Sequence, residues 1–339
     1  MNLSRQELIW LLNTEGEDTE AIFRWAAIFK KTCVGEKTYL RGLIEYSNAC
    51  RKNCLYCGIR RGNAAVSRYT LTDEEVLSAA RYAWKNQYGS VVLQGGENAS
   101  ETHAETIERL IYAIKSLSNN ELGITLSLGE QTEETYRRWF EAGAHRYLLR
   151  MESSCETLYR SIHPDDENHR FAHRQEALRT LRHVGYQVGS GVMIGLPGQT
   201  VENLADDLLF LRETDIDMCG MGPYLEHGQT PLYTRRDELW PLQKRYAMTL
   251  KMVALLRLLM PDINIAATTA LQAIDPKGRE KALQVGANVV MPNLTPPLHK
   301  TAYKLYENKP VAEWPDIPDS EIGYAEWGDS KRFEGRKKK

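Results

Sequence analysis

Half of the six cysteines fall within eight positions, as Cys50, Cys54 and Cys57 of NACRKNCLYCGIRRGN (residues 48–63). Cysteine thiolates are soft, charge-donating ligands that suit iron–sulfur clusters, and a loop this short can wrap one cluster. A four-iron cubane usually takes four such ligands, whereas Cys33, Cys155 and Cys219 are isolated and far apart. The simplest consequence is a cluster with three protein-bound irons and one open iron. An open metal position marks a catalytic site. Two other chemistries compete. Zinc would recruit a fourth Cys or His at a recognisable spacing, and the nearest downstream histidine is His103. A redox pair would use the CxxC form of Cys54 and Cys57 alone. Structural cysteines clustered by chance fit poorly in a loop with Arg51, Lys52, Arg60 and Arg61 on both sides.

Elements must hold that loop in place. The first 35 residues read as two short amphipathic helices. Strand-like runs then follow at 38–47, 90–97, 123–130, 145–153, 186–198, 218–227, 264–270 and 287–296, with helical segments such as 72–87 and 132–144 between them. Several helical stretches end in a glycine turn (AGAH, HVGY, QVGAN), as a left-handed C-cap requires. Strand–helix alternation predicts a parallel sheet, and eight units fit a closed (β/α)8 TIM-type barrel. An open doubly wound sheet is the competing arrangement. The barrel is favoured because polar and glycine-rich residues (the cysteine loop, QGGE, SLGE, RMES) sit at the C-terminal ends of the strands, where such barrels build active sites. The expected organisation is one α/β domain: helices over 1–37, a barrel over 38–306, and a covering segment with a basic tail over 307–339.

Composition narrows the classes. The chain has 43 basic and 45 acidic side chains, and that balance predicts no strong attraction to nucleic acid or acidic membranes. The N-terminus lacks a signal peptide pattern. The most apolar helix candidate, 248–260, is interrupted by Lys251 and Arg257, so no membrane span is expected. A cytoplasmic protein is the expectation, where clustered cysteines bind metal or react.

CxxxCxxC at the end of the first strand, with Tyr56 before the third cysteine and LQGGE at 93–97, resembles the radical S-adenosylmethionine (SAM) superfamily. Further phrases, among them ITLSLGE, RYLLRMES, MIGLPGQT, DMCGMGPYLEHGQTPL, NIAATTA and GANVVMPN, are similar to the FeFe-hydrogenase maturases of the HydE type. Biotin synthase and methylornithine synthase are relatives of similar architecture.

The resemblance implies one [4Fe–4S] cluster with an open iron, held by Cys50, Cys54 and Cys57, and SAM as cosubstrate. It implies that Gly95, Gly96 and Glu97, with Tyr56, Gln94 and Ser127 nearby, surround the methionyl group. Arg150, Glu152 and Arg174 match polar SAM contacts, Glu152 and Arg174 as a carboxylate and a guanidinium around it; Arg170 competes with Arg174, because extra residues lie around PDDENH (164–169). Met193, Ile194, Gly195 and Leu196 match an adenine-holding segment. The substrate cavity maps onto Arg41, Thr125, Met218, Thr268, Thr269, Tyr303 and Tyr306. A buried Arg41 needs an anionic partner, either substrate or Glu45. The implied substrate is an organometallic iron–carbonyl–cyanide–cysteine precursor made by a partner maturase, attacked near its cysteinyl sulfur by the 5′-deoxyadenosyl radical. A reducing electron donor and partner maturases are the implied partners, with no nucleic acid and no membrane. The alternatives are a related radical enzyme acting on an organic thiol or amino acid, and a non-catalytic iron–sulfur scaffold or electron carrier. No cysteine follows Cys219, so a second C-terminal cluster is not expected.

Overall fold

A computed structural model describes residues 1–310 and 322–323. The first strand, β1 (Thr38–Ser47), is followed by β2 (Ser90–Gly95), β3 (Gly123–Ser127), β4 (Arg146–Leu148), β5 (Gln187–Ser190) and β6 (Met193–Ile194). Then come β7 (Met218–Cys219), β8 (Gly222–Pro223), β9 (Asn264–Ile265), β10 (Val289–Val290) and β11 (Ile322–Gly323). The helices are α1 (Arg5–Leu12), α2 (Gly16–Val34), α3 (Asp73–Lys85), α4 (Glu101–Leu117), α5 (Glu133–Glu141) and α6 (Glu156–Ser161). They continue with α7 (Phe171–Val184), α8 (Val201–Glu213), α9 (Leu242–Leu259), α10 (Thr269–Gln272), α11 (Gly278–Gln284) and α12 (Pro297–Lys300).

Eight strands pair in parallel in the order β10-β1-β2-β3-β4-β5-β7-β9. The ring is only partly closed: β9 and β10 are two residues each and meet through the bridge Ala266↔Val289 and a bond from the Asn288 amide to the Ile265 carbonyl. The α/β barrel expectation holds, and the doubly wound alternative does not. Two expected strands are split. The stretch 186–198 divides into β5 and β6, and 218–227 into β7 and β8, with β6 and β8 forming their own small sheet beyond the barrel.

Strand alternation sorts the side chains. Ile44, Val91, Leu93, Ile124, Leu126, Tyr147, Val188 and Cys219 face the helices and join one continuous apolar core. The opposite positions are polar in several strands: Arg41 and Glu45, Ser90 and Gln94, Thr125 and Ser127, Arg146, Gln187 and Asn264. Barrel interiors are normally filled by branched apolar residues. A polar lining is suited to a polar guest.

Local signals explain the helices. Thr72 and Glu75 form a reciprocal capping box at the start of α3. Gly143, Gly185 and Gly286, in the three glycine turns, all have positive φ. The 19-residue α2 is longer than expected and packs on α9, while α1 packs on α8. This N-terminal pair buries the outer face of α9, which explains an apolar helix without a membrane. Lys251 reaches the Leu12 and Thr14 carbonyls, and Arg257 reaches those of Gly286, Pro261 and Ile263. Among the described residues, no helix is long and apolar enough to cross a membrane. The covering segment expected over 307–339 lies mostly outside the described residues; within it, β11 pairs with the start of β1.

Candidate active site

The cysteine loop leaves the C-terminal end of β1 and is stitched on every side. The Asn48 amide group donates to the Ser67 and Ala302 carbonyls, and the Arg51 amide donates to the Glu97 carbonyl at 2.9 Å. Cys54 and Cys57 share one tight turn, the Cys57 amide donating to the Cys54 carbonyl at 3.2 Å. Leu55 and Gly58 donate to the Ile162 and Leu305 carbonyls. Cys54 is buried, while Cys50 and Cys57 are half-buried. Burial raises all three thiols, Cys54 to about 12. Thiolate there requires a strong cationic partner such as iron. Among the described residues, no three His, Cys, Asp or Glu side chains converge as ligands of a single ion. A cluster spreads its thiolates over separate irons, and that calls for wider spacing than one ion does.

The Gly95–Glu97 turn packs directly on this loop. A Cβ on Gly96 would stand 2.4 Å from the Ala49 carbonyl oxygen and 2.7 Å from Cys50 Cβ, so only glycine fits. Glu97 turns inward to a buried group of four charges. Lys52 Nζ lies 3.2 Å from Glu97 and 2.9 Å from Glu130. Arg174 Nε bonds Glu130, and its Nη2 lies 3.9 Å from Glu97. Burial, then the neighbouring Glu130, pushes the Glu97 carboxyl up. Burial acts on Glu130 too, but Arg174 and Lys52 outweigh it and hold that carboxyl low.

The structure gives Arg174 and Glu152 separate partners. The carboxylate partner of Arg174 is Glu130, and Glu152 pairs instead with Arg150, Nη2 to Oε2 at 2.9 Å. Arg174 still reaches that strand end by donating to the Arg150 carbonyl at 2.8 Å. The competitor Arg170 is exposed and bonded to Glu167. Glu152 itself has φ +67°, an uncommon backbone for a non-glycine residue.

The segment 193–196 is held by one side chain. Gln199 Oε1 accepts from the Gly195 and Leu196 amides, and its Nε2 donates to the Met193 carbonyl at 3.0 Å. Met193 and Leu196 belong to a second apolar cluster with Leu158, Ile162, Tyr224 and Leu232, against which Leu55 and Tyr56 of the cysteine loop pack. Ile194 is buried. Ser127 sits beside Gln94 in the β2–β3 register.

The cavity residues divide into two groups. Arg41, Thr125 and Met218 line a narrow cavity, with room for about one water molecule, together with Arg146, Gln187 and Asn264. It lies toward the N-terminal ends of the strands, since Arg41 pairs with the first residue of β2. Arg41 Nη1 lies 2.6 Å from Met218 Sδ. Glu45, the proposed protein partner of Arg41, is engaged by Lys309 and by Asn293 at 3.0 Å. Thr268, Thr269, Tyr303 and Tyr306 lie elsewhere. Thr269 Oγ1 and the Tyr306 hydroxyl are 3.0 Å apart, and Thr268 bonds the Met221 carbonyl. Tyr303 is buried, and burial together with Glu45 and Cys57 raises its phenol well above the usual range.

Sequence reading missed four participants: Lys52, Glu130, Gln199 and the turn at 166–169. His169 Nε2 accepts from the Asn53 amide at 2.9 Å while Nδ1 faces Asp166 at 2.6 Å, and the Asn168 carbonyl accepts from Lys52. Glu130 carried a usable signal, because SLGE repeats at the end of β3 the Gly-Glu that QGGE places at the end of β2.

The Radical SAM superfamily profile matches residues 44–211. The [FeFe] hydrogenase maturase subunit HydE of Thermotoga maritima is 46% identical over 86% of this chain and 80% of that protein. The chain belongs to the radical SAM superfamily. Biotin synthase of Geobacter sulfurreducens is 29% identical over 78% of each chain. The crystal structure of methylornithine synthase (PylB) superposes with TM-score 0.75 at 26% identity, covering 86% of this chain and 82% of that one. Catalytic SAM chemistry is thus the family property, and a parallel α/β barrel is the shared architecture.

Proposed function

We propose that this chain is a radical SAM enzyme of FeFe-hydrogenase active-site assembly, acting on an iron–carbonyl–cyanide–cysteine precursor. The 46% identity to the Thermotoga maritima maturase across most of both chains carries this reading. Cys50, Cys54 and Cys57 would hold a [4Fe–4S] cluster through three of its irons. Their buried loop fits, since it leaves room for no side chain at Gly96 and offers three soft donors. Such a cluster supplies the single electron that cleaves the SAM sulfonium, releasing methionine and a 5′-deoxyadenosyl radical.

The chain's own residues position the reactants. Glu97, with Gly95 and Gly96, receives the methionyl ammonium. Arg174 and Lys52 present cations to the methionyl carboxylate, an exchange of partners that keeps the buried charge balanced. Glu152 and Arg150, ion-paired with each other, supply further polar contacts to the cosubstrate. Gln199 fixes segment 193–196 so that its backbone and the apolar cluster hold adenine. Thr268, Thr269, Tyr303 and Tyr306 orient the iron complex and keep other hydrogen donors away from the radical, while Arg41, Thr125 and Met218 line the barrel interior toward its N-terminal end.

Biotin-type sulfur insertion is disfavoured, because it uses a second ligand set inside the barrel. Cys219 faces the helices within the outer core, and Cys155, at the start of α6, packs against the apolar cluster of Leu158 and Met193. The test is anaerobic release of 5′-deoxyadenosine from reconstituted protein, comparing cysteine, small organic thiols and the iron complex. Strong stimulation by the complex alone is expected. Equal release with and without it would overturn the substrate assignment.

A further inference from the structure

Between Glu45 and Asp73 the chain carries five basic residues and no acidic one, although its overall charge is −2. Lys52 is buried and matched by Glu97 and Glu130. The other four, Arg51, Arg60, Arg61 and Arg68, have no ion-paired carboxylate among the described residues. Hydrogen bonds tie Arg60, Arg61 and Arg68 into the cysteine loop that also carries Arg51. The Arg61 amide donates to the Lys52 carbonyl at 2.8 Å, and Arg60 Nη1 to Asn53 Oδ1 at 3.0 Å. Arg68 donates to the carbonyls of Asn48, Ile59, Arg60 and Asn63. Neutral carbonyls hold that guanidinium in place without cancelling its charge. Arg51, Arg61 and Arg68 are exposed, the half-buried Cys50 and Cys57 belong to the same stretch of chain, and Arg68 acts electrostatically on Cys50. On the flanking 164–170 turn, Asp166 is engaged by His169 and Glu167 by Arg170.

We infer that this arginine face is the docking surface of an acidic one-electron carrier protein. The inference rests on the cluster assignment of the proposed function. Each SAM cleavage consumes one electron: the carrier loses it, the cluster gains it, and the breaking carbon–sulfur bond takes it up. Electrons tunnel over short distances only, so the carrier must seat on the surface nearest the cysteines. Among the described residues, that surface also gathers four arginines without ion-paired carboxylates. Opposite charge on the partner raises the rate of encounter and fixes its orientation. Outside this loop and the basic tail at 331–339 the chain carries an excess of acid, which disfavours such a carrier there.

The experiment uses reconstituted wild-type protein, Arg61→Glu and the double variant Arg51→Glu/Arg61→Glu. The probe is reduced flavodoxin, a small acidic flavoprotein, with dithionite as the chemical reductant for comparison. Neither substituted side chain makes a hydrogen bond or ion pair in the described structure, so the loop should remain intact; Arg137→Glu on α5 serves as a distant control. Expected is salt-sensitive binding of flavodoxin that the double variant weakens by about tenfold or more, the single variant less, and the control not at all. Cluster reduction and SAM cleavage driven by dithionite should be unchanged in every variant. Binding that ignores salt, or that survives both charge reversals, would overturn the docking surface. Failure of dithionite to reduce the wild type would instead overturn the cluster assignment, and the inference with it.

Discussion

Two regions of this molecule bury a lysine and an arginine, and they satisfy them differently. In α9, Lys251 and Arg257 are neutralised by no carboxylate in the contacts that hold them. They bond backbone carbonyls, with the Asn288 side chain on Arg257. At the strand ends, Lys52 and Arg174 face Glu97 and Glu130. Burial lowers Arg257 to about 10, whereas Glu130 and Glu97 overcome burial and hold Arg174 well above its ordinary range. Carbonyl dipoles are fixed by the fold, so the α9 cations serve architecture. Carboxylates can exchange partners with a zwitterionic guest, and the proposed SAM-binding role of the second group draws on that property.

The largest expected effect lies just beside the charged group. Cys54→Ser should abolish the cluster's visible absorbance and SAM cleavage together; retained cluster and turnover would break the account. Next is Arg174→Met, which leaves Glu130 and Glu97 short of a buried cation. It should cost about 3–5 kcal/mol in denaturant unfolding and also weaken SAM binding. Arg257→Met is the sharpening counterpart. Its orphaned carbonyls should cost about 1–3 kcal/mol, with SAM affinity unchanged. A loss of SAM affinity in that variant would erase the distinction between the two regions.

The smallest effect is read by pH. The Glu130 carboxyl is depressed in the folded chain, so it contributes stability above the ordinary carboxylate range and loses it as pH falls through the folded value. The α9 cations do not titrate in that range. Acid titration of thermal stability should therefore show a slope that Glu130→Gln reduces, while Arg257→Met leaves it in place.

The barrel was legible because its first strand states its own alternation: β1 matches the expected 38–47 to the residue, and the glycine turns mark helix ends by their backbone. The splits within 186–198 and 218–227 were not, since an apolar run with glycines reads the same whether or not the chain leaves the barrel. In the site, the cysteines and QGGE are local motifs and could be read directly. The partner of Arg174 could not, because an arginine in α7 reaches a carboxylate 44 residues earlier across the strand ends. Lys52 hid in plain view as a cation between two cysteines, where charge alone does not tell a buried side chain from an exposed one.

The central claim is that three cysteines are gathered so that one iron stays open for SAM. Electron paramagnetic resonance of the reduced, reconstituted protein tests it most directly. Addition of SAM should change the cluster's spectrum, as ligation at the open iron demands. A spectrum unchanged by saturating SAM would mean a closed cluster, and would contradict the account.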